Sequence, residues 1–143
     1  MARFPVRLAR FGAISMALGV AFTTCRATGE LPPLPTTKLE ASELVQTLSH
    51  GKRVDLAESL RDGRWTIIAF EAEWCGACQA LEPSLMSLIR EKQTVALRQI
   101  DIVSWNSPVA LQHGISTLPQ LRLYDGTRLV SADRHEVMAI LRQ

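Results

Sequence analysis

Residues 65–90 read WTIIAFEAEWCGACQALEPSLMSLIR, and the change of pattern inside this stretch decides the fold. Residues 65–70 form a short continuous apolar run rich in β-formers, which predicts a central strand buried on both faces. From Gly76 to about Arg90 the period changes. Cys78, Leu81, Leu85 and Leu88 recur at spacings of 3, 4 and 3, which places them on one face of a helix. Pro83 lies inside that helix and is expected to kink it. The strand passes into the helix across Trp74-Cys75-Gly76-Ala77-Cys78. Two thiols therefore straddle a helix start at the C-terminal edge of the sheet, where α/β proteins keep their sites.

The flanks carry their own punctuation. Thr37 and Glu40 have capping-box spacing, and Ala41, Leu44, Val45 and Leu48 follow at helical intervals as far as Gly51, predicting a first helix. Asp55 and Glu58 repeat the spacing before a short second helix closed by Asp62-Gly63. Downstream, residues 94–101 predict a second strand. Ser107-Pro108 starts a short helix that Gly114 ends. Residues 120–124 alternate polar and apolar, and Asp125-Gly126 reads as a two-residue hairpin turn into residues 127–130. Asp133 with Glu136 caps a final helix whose apolar stripe is Val137, Met138, Ile140 and Leu141. A β-α-β unit followed by a hairpin and a terminal helix predicts an α/β fold, a mixed sheet with helices on both faces.

Charge is distributed unevenly. The formal net charge is +2, but Arg3, Arg7, Arg10 and Arg26 all lie in residues 1–27, which contain no acid. The remainder has 12 basic and 14 acidic residues, so no nucleic-acid surface or polybasic membrane patch is expected. The three leading arginines, an apolar run over residues 11–22 and small residues near Ala27 read as an export signal. An uncleaved anchor is the alternative, although the run is short against the roughly 20 residues of a membrane span. Lipidation at Cys25 is a third reading. All three put the folded part beyond the inner membrane, in the periplasm or another extracytoplasmic space. Residues 28–36 contain Pro32, Pro33 and Pro35 and predict an extended linker. The folded domain is expected over residues 37–143, large enough to bury about two-thirds of its unfolded surface without disulfide staples.

The cysteine pair is thus available for chemistry. A Cys-x-x-Cys pair across a helix start can close a disulfide without backbone movement. The unpaired N–H groups and positive end of the helix stabilise a thiolate at Cys75, lowering a thiol pKa of about 8.5 by roughly one to several units. Cys78 falls on the buried stripe with Leu81 and Leu85, whereas Cys75 lies outside it. Cys75 is therefore expected to be the exposed nucleophile and Cys78 the shielded resolving thiol. A zinc site would need two further ligands, and His50, His113 and His135 are scattered singly. A purely structural bridge would close only a tiny loop and restrain the unfolded chain little. No metal and no cofactor beyond the redox-active disulfide is expected.

These motifs resemble the thioredoxin superfamily. Phe70-Glu71-Ala72-Glu73-Trp74-Cys75-Gly76-Ala77-Cys78 is similar to its active-site segment, Pro83 to its helix proline, and His113-Gly114-Ile115-Ser116-Thr117-Leu118-Pro119 to its proline loop. The resemblance covers roughly residues 52–142. It implies a cis peptide between Leu118 and Pro119, substrate contacts from Trp74, Gly76, Ala77, Leu118 and Pro119, and protein thiols and disulfides as partners. With an export signal, the chain is similar to TlpA-like periplasmic thiol reductases, which implies a membrane thiol-transfer protein as electron donor. The same residues also suit a disulfide oxidase or isomerase, or a non-catalytic copper(I)-binding module. The departures concern protons. The family's buried aspartate is Ala69 here, its accompanying lysine is Leu97, and its tryptophan four positions before the first cysteine is Glu71. Ala69 and Glu71 share a strand face, so Glu71 is either a relocated acid–base group near Cys78 or, more plainly, a strand-end residue that meets solvent or a basic partner. Trp74 is expected to cover the disulfide edge, Trp105 to pack within a loop longer than the family's by about three residues, and His113 and Glu73 to lie at the surface.

Overall fold

A computed structural model describes residues 31–143. The expected export segment with Cys25, and the start of the linker, lie outside the described residues. The chain order is α1 (Ala41–Leu44), β1 (Val45–His50), a single 3-10 turn (Leu56–Ser59), β2 (Trp65–Glu71), α2 (Gly76–Lys92), β3 (Val95–Asp101), α3 (Pro108–His113), β4 (Gln120–Asp125), β5 (Arg128–Ser131) and α4 (Arg134–Leu141). The five strands form one sheet in the order β1-β3-β2-β4-β5. The first three run parallel, and β4 and β5 are antiparallel.

Central position explains the apolar run at β2, which pairs with β3 on one side and β4 on the other. Its odd-numbered residues Trp65, Ile67 and Ala69 meet Leu85 and Ile89 of α2 and Val137, Ile140 and Leu141 of α4. Its even-numbered residues Ile68 and Phe70 meet Val109 and Ala110 of α3. Helices thus cover both faces, as the pattern predicted. Burial of this kind stabilises by about 1.5–3 kcal/mol per large side chain.

Where the determinants are local, the structure follows the sequence pattern. The side chains of Asp55, Ser107 and Asp133 accept N–H groups of Ala57, Ala110 and Glu136 at the three expected starts. Gly114 ends α3 at φ +63°. The hairpin loop is displaced by one residue, however. Asp125 pairs with Arg128, leaving Gly126 and Thr127 as the loop, and an Asp125–Arg128 ion pair at 3.0 Å lies across it.

The first predicted helix is overturned. Only Ala41–Leu44 is helical, its start at Glu40 has no side-chain cap, and residues 45–50 form an additional fifth strand. The spacing of Val45 and Leu48 suits either structure. Parallel pairing of Val45 with Leu97, and of the residues after it along β3, satisfies an edge that would otherwise be open. The short helix is held by charge as well. Buried Arg98 of β3 donates to the Glu43 carbonyl at 2.9 Å, and Arg64 bonds both Glu43 carboxylate oxygens at 3.0 and 3.1 Å. Burial, then the neighbouring Arg64, pulls the Arg98 pKa down.

Before α1 the chain is extended but not detached. Leu31, Leu34 and Leu39 pack on the α2/α4 side of the core, and Leu39 N–H donates to the Gln93 carbonyl at 2.6 Å. Among the described residues no helix is long and apolar enough to cross a membrane.

Leu97 is fully buried at the middle of β3, between β1 and β2. Leu97→Ala is expected to cost about 2–5 kcal/mol in urea unfolding, by lost transfer energy and an unfilled cavity. A loss below about 1 kcal/mol would show that this layer collapses freely.

Candidate functional site

The site grows from the junction of β2 and α2. Cys75 is the N-cap of α2, with extended backbone at φ −86° and ψ 97°. Its Sγ accepts the Cys78 N–H at 3.1 Å, as a serine or aspartate oxygen does at other helix starts. Its carbonyl accepts from Cys78 and Gln79 at 3.0 and 3.1 Å, and its own N–H donates to Ala72 at 3.0 Å. Cys75 and Cys78 are joined as a disulfide, with Cα atoms 5.2 Å apart.

The expected contrast between an exposed and a buried cysteine is absent from this oxidised state. Cys75 is 7% exposed and Cys78 6%, and both belong to the cluster of Phe70, Ile100, Val109 and Ile115. Residues of β3, α3 and the loop after it close over Cys75, which its helical position alone did not suggest. The asymmetry that remains is positional: Cys75 precedes the first turn and Cys78 lies within it.

The remaining sequence candidates divide. Leu118 packs against the cysteine cluster, and Pro119 lines a narrow cavity with Cys78. The peptide between them is cis. Gly76 and Ala77 are exposed. Trp74 is 51% exposed, and its Nε1–H donates to the Val103 carbonyl at 2.6 Å, which ties the indole to the loop after β3. Trp105 is not packed into its own loop. It is 43% exposed and meets Trp74 edge to face, with ring centroids 5.2 Å apart. Glu73 is exposed as expected, and its carbonyl accepts from Gln79. His113 is half-buried instead of a free surface residue. It lies against Phe70 with its Nε2 3.2 Å from the Val54 carbonyl, and burial lowers its pKa.

Glu71 sits at the end of β2 on the Ala69 side. It is half-buried and lines the cavity beneath Cys78, about 10 Å³ in volume, which is close to the room needed by one water. No basic side chain pairs with it among the described residues. Burial pushes its pKa up first, and the charges of Glu82 and Asp101 add to the rise, while the Gln99 side chain opposes it.

Four of these neighbours escaped the sequence reading. Glu82 lies one helical turn after Cys78, and i,i+4 spacing was the signal that places both on one face. Gln99, Asp101 and Val103 had no local signal. Asp101 ends β3 and serves three groups: its Oδ1 accepts the Val103 N–H at 2.7 Å, its Oδ2 lies 3.2 Å from His50 Nδ1, and its carbonyl accepts the Gly51 N–H at 2.7 Å.

Comparison with known proteins agrees with this geometry. Residues 48–138 match the thioredoxin family model, and the chain belongs to that family. It is 37% identical to the thioredoxin of Chlamydia trachomatis serovar D over 81 residues, covering 57% of this chain and 74% of that one. It is 31% identical to a probable thioredoxin-2 of Caenorhabditis elegans over 109 residues, 70% and 72% of the two chains. A thiol:disulfide interchange protein TxlA homolog of Synechocystis is 28% identical over 97 residues, 64% of this chain and 53% of that one. Among solved structures, thioredoxin from Trypanosoma brucei brucei superposes with a TM-score of 0.55 at 16% identity, covering 74% of this chain and 96% of that one. That likeness establishes a shared fold. The chain is a thiol–disulfide oxidoreductase in its general chemistry, with Cys75–Cys78 as its disulfide.

The raised Glu71 pKa has a thermodynamic consequence. The folded chain holds this proton more tightly than the unfolded chain, so stability falls as pH rises from the ordinary carboxylate value through the raised one. Glu71→Gln removes that fall. Urea unfolding between about pH 4 and 8 is expected to give the variant a flatter profile, with its advantage growing toward neutrality. A wild-type minus variant difference that stays constant over that range would contradict it.

Proposed function

We propose, from its membership of the thioredoxin family, that this chain is an exported reductase of protein disulfides. The observation that carries the reading is the cap at Cys75, whose sulfur accepts the Cys78 N–H in the first turn of α2. That N–H and the helix dipole favour a thiolate at the attacking position.

The exchange proceeds in two displacements. The Cys75 thiolate attacks one sulfur of a substrate disulfide, the substrate S–S bond breaks, and a substrate thiolate leaves and takes up a proton. The Cys78 thiol then gives up its proton, attacks Cys75 Sγ and closes the Cys75–Cys78 bond, releasing the second substrate thiolate. Two electrons pass from the dithiol to the substrate. Glu71 acts in this second step as proton acceptor for Cys78, directly or across one water. Its support is a shared cavity, the lack of a basic partner among the described residues and a pKa raised by burial.

The reducing direction is supported by what surrounds the sulfurs. The Gly76-Ala77 dipeptide brings no cation, and Glu71, Glu73, Glu82 and Asp101 border a cleft containing Cys78. Carboxylates there disfavour thiolates and so leave the reduced form less stabilised than in strongly oxidising proteins. Export is supported by Arg3, Arg7 and Arg10 ahead of the apolar run at residues 11–22. An exported reductant needs its dithiol restored, which calls for a membrane thiol-transfer protein as donor.

Equilibration with dithiothreitol is expected to give a potential nearer about −270 mV than about −120 mV. Cys75→Ser should reduce insulin no faster than background, and Cys78→Ser should accumulate the mixed disulfide. Full activity in Cys75→Ser, or a potential near the oxidising value, would sink the reading. The proton role has its own test. Glu71→Gln should displace the pH profile of the resolving step without altering that of the first attack; an unmoved profile eliminates the relay.

A further inference from the structure

Three of the five exposed large apolar side chains among the described residues gather at one place: Trp74, Val103 and Trp105, at 51%, 51% and 43% exposure. They are pinned there. The Trp74 indole donates to the Val103 carbonyl and meets Trp105 edge to face. Val103 is β-branched and has φ +63°, a conformation that such a residue rarely adopts. Two short hydrogen bonds impose it, from Ser104 N–H to the Ile102 carbonyl at 2.6 Å and from Val103 N–H to Asp101 Oδ1 at 2.7 Å. Gly51 makes room opposite, where an added Cβ would come within 3.2 Å of Val103 Cγ2. Apolar surface thus faces solvent around Trp74, the residue that precedes Cys75.

Asp101 joins this platform to a second surface. On its other side lies an open cleft of about 320 Å³ containing Cys78, His50, Glu71, Glu73 and Glu82, with no lysine or arginine in its lining. The aromatics adjoin Cys75 through Trp74, the carboxylates adjoin Cys78, and Asp101 links the two through its bond to Val103 N–H.

We propose that the preferred substrates are disulfides in extended segments with an apolar residue beside the reacting cysteine, docked on Trp74, Val103 and Trp105, and a basic residue that enters the carboxylate cleft. This rests on the reductase reading above and adds the substrate class. Opposite charge raises encounter rates and does so less as salt rises. The apolar platform acts independently of salt.

The test uses the full chain, reduced beforehand, and three symmetric peptide disulfides that differ only beside the cysteine: Leu with Arg, Leu with Glu, and Ser with Arg. Hydroxyethyl disulfide serves as an uncharged reference. The Leu/Arg peptide is expected to react about tenfold faster than Leu/Glu at about 20 mM salt, narrowing to within about twofold near 1 M. It should outpace Ser/Arg several-fold at both. Trp105→Ala should erase the Leu-over-Ser preference, and Glu73→Gln with Glu82→Gln the Arg-over-Glu preference. Equal rates across the peptides, with hydroxyethyl disulfide still reduced, overturn the substrate class and leave the exchange reading intact. Preferences unchanged in these variants overturn it as well. No reaction with any disulfide, the reference included, removes the reductase reading and this inference with it.

Discussion

The first turn of a helix has N–H groups with no carbonyl four residues back to receive them, and in α2 the sulfur and carbonyl of Cys75 share that of Cys78. That single contact ties the chemistry to the fold. It requires a residue with a short acceptor side chain at the last extended position before Gly76, and it requires β2 to end at Glu71 so that residues 72–75 can turn the chain into the helix. The central strand, the mixed sheet and both helical layers serve to hold that junction still. A displaced helix start would cost the cap and the thiolate's main support together.

Near the junction, β2 places a carboxyl at Glu71, on the strand face it shares with Ala69. Ala69 contributes only a methyl to the α2 side of the sheet, and Glu71, two residues on, brings a carboxyl to the same side. Leu97 of β3 adds apolar surface to that cavity, so the carboxyl faces burial and like charges without a compensating cation. Its raised proton affinity follows from where the backbone puts it. A carboxyl farther along the strand would be ordinarily solvated, and one at position 69 would be buried more deeply.

Much of this was legible in residue order because the determinants are local. Asp55, Ser107 and Asp133 cap what they were expected to cap, since a cap involves residues only two or three apart. The run at β2 announced a strand buried twice. Strand β1 was illegible for the opposite reason: Val45 and Leu48 fit a helix, and only pairing with β3, some fifty residues away, decides between the two. The burial of Cys75 depends on Ile100, Val109 and Ile115 from distant segments. Glu82 was readable one turn after Cys78, but the joint effect of Glu82, Gln99 and Asp101 on Glu71 exists only after three elements have met.

The left-handed turn at Val103 bears on who gives up freedom when a substrate arrives. Trp74 and the loop beside it are already tied to each other, so contact with them orders little on this side. Nearly all the conformational entropy of the encounter must then come from the incoming chain. A folded loop in another shape cannot be followed, whereas an unfolded or frayed segment can adopt the required extended form. On the docking proposed above, a rim tied together in advance would act as a filter for disorder, favouring disulfides in chains that have not finished folding.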